Sequence, residues 1–183
     1  MSPHVVSVNV GMPVDAPWVG SPFRTSISKH RVAGRVQVGT LGIEGDQVSD
    51  TKDHGGPHQA VYAFAREDLD LWAGRLGKEI PDGHFGENLT TEGIDVSGAL
   101  VGERWRIGTT LLEVVQPRLP CFKLGLRIGD PTFLKRFALA SRPGAYLRIL
   151  EEGELGAGDL IEVDPAGLPD HGVSMRMKDA PNQ

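Results

Sequence analysis

The stretch that decides the fold is ERWRIGTTLLEVVQPRLPC, residues 103–121. Its β-branched and aliphatic content, interrupted near Gly108-Thr109, reads as two strands joined by a tight turn. Pro117 and Pro120 then stop the second strand and leave Cys121 in a rigid, irregular turn between Arg118 and Lys123. Cys121 is the only cysteine of the chain, so an internal disulfide is excluded. The residue is a buried hydrophobe, a reactive thiol or a ligand. Cations close to the sulfur would favour the thiolate, which is both a nucleophile and a soft-metal ligand.

Outward from this hairpin the chain keeps the same grammar. Twenty-four glycines and 13 prolines punctuate short β-rich segments. Strands are expected in HVVSVNV (4–10), in TSISKHRVAGRVQV (25–38) with a turn at Ala33-Gly34, in QAVYAF (59–64), and in AYLRILEEGELGAGDLIEV (145–163). Two helices are expected: REDLDLWAGRLG (66–77), with Leu69, Trp72 and Leu76 on one face, and PTFLKRFALASR (131–142), with Phe133, Leu134 and Phe137 behind an initial proline. The expected fold class is mainly β with a few helices.

At 183 residues the chain is the size of one domain with a single core. A hydrophobic content of 39%, 23% charged residues and a net charge of −5 describe a globular protein without the basic excess of a general nucleic-acid binder, so a bound anion needs a local cluster of cations. No basic n-region opens the chain and no apolar run approaches the roughly 20 residues of a membrane span. A cytoplasmic location with neither membrane nor nucleic acid as partner is expected. The polar tail, residues 164–183, reads as loose.

Three stretches carry little periodicity and much chemistry. In LGIEGDQVSDTKDHGGPHQAV (41–61), Gly55 and Gly56 permit close approach of a ligand to the backbone. His54 and His58 have the i, i+4 spacing of a zinc helix, but Gly-Gly-Pro between them argues against a helix; a tight turn with solvated histidines and a ligand loop both remain open. In GHFGENLTTEG (83–93), Phe85 is an apolar anchor and Asn88 either contacts a ligand or bonds to its own turn. RTSISKHRV (24–32) mixes Arg24, Lys29 and Arg31 with hydroxyls, which suits a phosphate or a strand face in water.

Taken in order, LGIEGD, HGGPHQAVYAF, FGENLT, VGERWRIGTTLLEVVQPRLPC and GELGAGDLIEV resemble the MOSC domain, the family related to the C-terminal domain of molybdenum-cofactor sulfurases. TSISK, HGG, FGEN and RLPC are similar to elements of its bacterial YiiM-type branch. The resemblance spans about residues 20–163, which places one MOSC domain at 1–163 and a short tail after it. It implies a mixed β-barrel and a molybdenum cofactor of molybdopterin form, with Cys121 as the molybdenum ligand and catalytic residue. It also implies Lys29, Arg24 and Arg118 as partners of the cofactor's phosphate, with His54, Gly55, Gly56 and Asn88 lining the pocket. The activity implied is reduction of N-hydroxylated compounds, 6-N-hydroxylaminopurine-like bases and amidoximes. Because the chain has no flavin or iron–sulfur motif, a separate flavin-type reductase would supply the electrons. YiiM-type chains continue into a C-terminal helical domain that the short tail here does not match. Two other classes stay open: a non-catalytic carrier of the cofactor, and a hydrolase or transferase using Cys121 with His54 as base.

Overall fold

The structure, a computed structural model, describes residues 1–16, 24–49 and 55–164. The elements run β1 (His4–Val10), β2 (Val14–Asp15), β3 (Arg24–Thr25), β4 (His30–Arg31), β5 (Arg35–Gly39), β6 (Gly42–Ile43), β7 (Val61–Ala65), α1 (Arg66–Leu76), β8 (Leu89–Glu92), β9 (Arg104–Ile107) and β10 (Thr110–Pro117). They continue with α2 (Phe122–Ile128), α3 (Phe133–Ala140), β11 (Ala145–Glu151), β12 (Gly153–Gly156) and β13 (Ile161–Asp164). The described residues are therefore mainly β with three α-helices, as the punctuation of the sequence implies.

Eight strands form one sheet in the order β13-β9-β10-β11-β7-β8-β1-β4, and a smaller sheet has the order β12-β5-β6. The 103–116 hairpin forms with Thr110 opposite Ile107, which puts the reversal at Gly108-Thr109. Among the described residues the pairings are antiparallel except β7 with β8, which are parallel and joined through α1. The larger sheet is open by strand order. Its ends approach where Val5 N–H donates to Asp159 O at 2.9 Å and Gly158 N–H to Val5 O at 2.8 Å, beside an isolated bridge between His4 and Leu160. The barrel of the sequence reading is thus a curled sheet joined by a bridge rather than by a continuous ladder.

Segment 25–38 departs from expectation in its pairing. β4 pairs with β1 and β5 pairs with β12, so the turn at Ala33-Gly34 passes the chain from one sheet to the other instead of closing a hairpin. The helix α2 is also new, because only Leu124 and Ile128 mark its apolar face and seven residues are too few for a period to register.

Strand β7 divides the interior. Val61, Ala63 and Ala65 face a core shared with Val5, Val8, Trp105, Leu112, Val114 and Leu147. Tyr62 and Phe64 face a second core under the helices, with Leu69, Trp72, Phe85, Leu124, Phe133 and Phe137. A period of two serving two cores makes every residue of β7 buried. On α1, Leu69 and Trp72 are buried and Leu76 packs beside them, and Gly77 ends the helix at φ 64° with its N–H on Ala73 O. Phe85 is fully buried, with its ring 5.7 Å from Phe133 and 5.9 Å from Phe137. Truncation there leaves a cavity at the junction of three segments, so Phe85→Ala should lower stability by about 3–5 kcal/mol, measured by urea unfolding; a loss under ~1 kcal/mol would mean that the helical core collapses onto the gap.

Candidate functional site

The site is a pocket with walls from segments on both sides of β7: Thr25, Ser26, Ile27 and Lys29 before β4, Asp46 after β6, Tyr62 of β7, Gly86 and Asn88 before β8, then Arg118, Cys121, Lys123 and Tyr146. Local backbone chemistry brings these loops together. Gly86 has φ 85°, and a Cβ there would lie 2.9 Å from Ile27 Cγ1, so only glycine lets the 85–88 loop close against the 25–29 segment. Glu87 holds the same loop from inside, accepting from Gly83 N–H at 2.6 Å, Phe85 N–H at 3.0 Å and the Thr90 hydroxyl at 3.2 Å.

Cys121 is half-buried and stands at the N-cap of α2, one residue after Pro120. Arg118 is buried beside it. One guanidinium nitrogen donates to Phe85 O at 2.7 Å, the other lies 3.8 Å from Cys121 Sγ, and the guanidinium carbon sits 4.9 Å from the Tyr62 ring centroid. Burial pushes the pKa of Tyr62 and of Tyr146 up, so both present neutral phenols to the cation; Tyr62 donates its hydroxyl to Pro143 O at 2.8 Å.

Asp46 organises the opposite wall. One carboxylate oxygen accepts from Gly11 N–H at 2.8 Å and from the Lys29 ammonium, and the other accepts from the Asn88 amide at 2.8 Å. The Lys29 and Asp46 side chains are 8% and 9% exposed, so the pair is nearly dry and neutral as a unit. Burial lowers the Lys29 pKa, and Asp46 works against that shift.

The structure therefore brings together Lys29, Gly55, Asn88, Arg118 and Cys121 and leaves others out. Asn88 lines the pocket, yet both its amide hydrogens are committed, to Asp46 and to Asn9 O at 3.2 Å, and its oxygen accepts from Tyr62 N–H at 3.0 Å. It joins walls rather than reaching for a ligand. Arg24 is exposed and donates to Pro13 O at 2.9 Å, outside the lining; its neighbour Thr25 is buried, and strand alternation turns Arg24 the other way. Gly56 is not among the lining residues, and His54 lies outside the described residues. None of the described lining residues is a histidine. Asp46, Tyr62 and Tyr146 are site residues that the motifs did not single out: Asp46 closes the quoted LGIEGD, whereas the two tyrosines read only as strand residues.

Two buried donors at the pocket, Ser26 Oγ and Arg118 Nε, have no hydrogen-bond partner among the described residues. Buried donors without acceptors are costly, which points to an oxygen-rich ligand. Among the described residues no group of three or more His, Cys, Asp or Glu side chains converges, so a metal at Cys121 would have to bring further ligands with it. The described walls enclose about 130 Å³, room for one end of a larger ligand. These features fit a metal carried in an anionic chelate: a single soft sulfur, a buried cation beside it and unsatisfied donors near by.

Fold and pocket together define a MOSC domain. The family matches residues 50–162, and the chain belongs to it. Individual relatives agree with this. YflK of Bacillus subtilis is 31% identical over 172 residues, covering 94% of this chain and 77% of that protein. A protein named "Reductase" from Gibberella moniliformis is 33% identical over 150 residues, 79% of this chain but 26% of that protein. The crystal structure of YiiM from Geobacillus stearothermophilus superposes with a TM-score of 0.77 at 29% identity, covering 95% of this chain and 80% of that one. No helix of the described residues is long and apolar enough to cross a membrane.

Burial pushes the Glu87 carboxyl up to about 7 from 4.5, against the pull of the donors around it. A proton held more tightly in the folded state stabilises the fold below about 4.5, and that contribution fades as pH rises through about 7. Glu87→Gln should therefore flatten the loss of stability between pH 5 and pH 8, followed by urea midpoints; a slope equal to the parent's would show that Glu87 titrates normally.

Proposed function

We propose that this chain is a molybdenum-cofactor-dependent reductase of N-hydroxylated compounds, with Cys121 as its ligand to the metal. The observation that supports it best is the Cys121 thiol at the wall of a pocket in a MOSC fold, with the buried Arg118 guanidinium 3.8 Å from the sulfur. The relative named as a reductase points to the same class of chemistry. When bound, the cofactor supplies two-electron oxygen-atom transfer, so that R–NHOH with two electrons and two protons gives R–NH2 and water.

The chain's own residues do the rest. Arg118 favours the thiolate of Cys121 and keeps one donor, Nε, for an anionic oxygen. Ser26 offers a hydroxyl on the same pocket. Lys29 binds at lower net charge than a lone ammonium, because Asp46 is already on it, but two of its three hydrogens have no partner among the described residues. Tyr62 and Tyr146, 5.3 Å apart, wall the pocket with aromatic surface suited to a flat heterocycle. The reading of Cys121 as a hydrolytic nucleophile lacks a histidine base among the described lining residues.

Cys121→Ser should keep the circular dichroism of the parent and lose molybdenum when made in a molybdate-supplied host, because a neutral alcohol replaces a soft thiolate poorly. Full metal content with full activity would refute the ligand assignment. Arg118→Lys should lower pterin retention by about one to two decades, as expected for losing a charge-assisted contact of about 1.5–3 kcal/mol; unchanged pterin fluorescence after release would place the anion elsewhere. Loaded protein with reduced viologen should convert 6-N-hydroxylaminopurine or an amidoxime to its amine, and a Mo(V) signal without product would exclude the proposed reaction.

A further inference from the structure

Cys121 is followed at once by surface that is apolar and locally basic. Leu119, Phe122 and Leu126 are 65%, 59% and 39% exposed. Phe122 and Leu126 are four apart on α2 and so share its outer face, while Leu124 and Ile128 turn inward. The next helix, α3, packs on α2 with Leu134 against Gly125 and exposes Lys135 and Leu139 one turn apart. The charge of this part of the chain runs against the whole. Residues 118–142 hold six cations against Asp130 alone, whereas the full chain carries −5; Arg118 and Lys123 are buried at the pocket, which leaves Arg127, Arg136 and Arg142 half-buried and Lys135 exposed on the outer side. Asp130 binds Arg136 at 2.8 Å and Asp68 of α1 binds Arg142 at 2.5 Å, so two of the cations are locally balanced and Lys135 is the exposed one on α3.

From this we infer that the α2–α3 face is the docking surface for an acidic electron-carrier protein. The inference rests on the reductase reading, which requires two electrons per turnover from outside the chain. A few exposed apolar side chains beside cations match the small, transient contacts of redox encounters. The opposite charges would steer such a partner to this face, while the rest of the chain, net acidic, repels it. The carrier is oxidised by two electrons in all, delivered at this face, and the two protons come from solvent.

The probe is flavodoxin, an acidic flavin protein, titrated against the full loaded chain by calorimetry at low and at high salt. Binding should weaken at least tenfold from 20 to 300 mM salt. Phe122→Ser with Leu126→Ser, and separately Lys135→Glu, should each weaken it at least tenfold, Lys135→Arg should restore it, and Leu160→Ser, at a comparably exposed leucine outside the face, should change nothing. The same variants should lose flavodoxin-driven turnover and keep viologen-driven turnover. Absence of binding, binding indifferent to these substitutions, or a concentration-dependent dimer abolished by Phe122→Ser would overturn the inference, the last assigning the face to a second copy of the chain. Flavodoxin bound at this face together with no viologen-driven product would instead sink the reductase reading and leave the docking surface standing.

Discussion

A guanidinium buried beside a thiol is the constraint that the rest of the site obeys. Removing a charged group from water is costly unless its hydrogens find acceptors, so Arg118 can occupy the interior only if other segments come to meet it. Phe85 O does so at 2.7 Å and the Tyr62 ring supplies a π-face at 4.9 Å. Each partner in turn needs its own support. Phe85 O is in place because Glu87 gathers the backbone N–H groups of Gly83 and Phe85 and because the Phe85 ring is locked among Phe64, Phe133 and Phe137. Tyr62 is in place because β7 is buried on both faces.

The second wall depends on a carboxylate in the same way. Asp46 joins the turn after β6 to Gly11, Lys29 and Asn88, and Asn88 joins that cluster to Asn9 and to Tyr62. Lys29 and Arg118 are therefore different kinds of cation. Lys29 is held in a nearly neutral pair whose partner accepts from three donors, Lys29 among them, whereas Arg118 faces neutral phenols and a sulfur. Replacing Lys29 would strand Asp46 in the interior, whereas Arg118→Lys keeps a cation beside the sulfur and strands no carboxylate.

Much of this was legible from short-range signals and little of it from long-range ones. The 103–116 hairpin and helix α1 announce themselves because the turn at Gly108-Thr109 and the spacing of Leu69 and Trp72 are local facts. The partners of β4 and β5 are not local: β5 meets β12 more than a hundred residues later, so a turn-like Ala33-Gly34 was a sound reading of the turn and a wrong reading of the pairing. At the site, Cys121 and Arg118 stand out by composition and by the prolines around them. Asn88 reads in sequence as either a ligand group or a turn residue and proves to be a joint, because an amide's value to a ligand depends on which of its hydrogens the fold has already used. Arg24 fails for a simpler reason, strand alternation, which a two-residue strand is too short to reveal.

The position of Cys121 at the start of α2 links the pocket to the surface. Its extended backbone, φ −115° and ψ 157°, is the last non-helical residue before the chain turns into Phe122 and Lys123, one exposed and one buried. A thiol on the pocket side and an exposed aromatic ring one residue later are thus fixed by one helix start. That start is itself held by Leu124 and Ile128 in the aromatic core that anchors Phe85. Packing beneath α2 therefore governs three things together: the sulfur's setting, the carbonyl that holds Arg118 next to it, and the presentation of the apolar face outside. A change in that core would move all three, whereas a change at the exposed face reaches the partner surface and leaves the sulfur where it is.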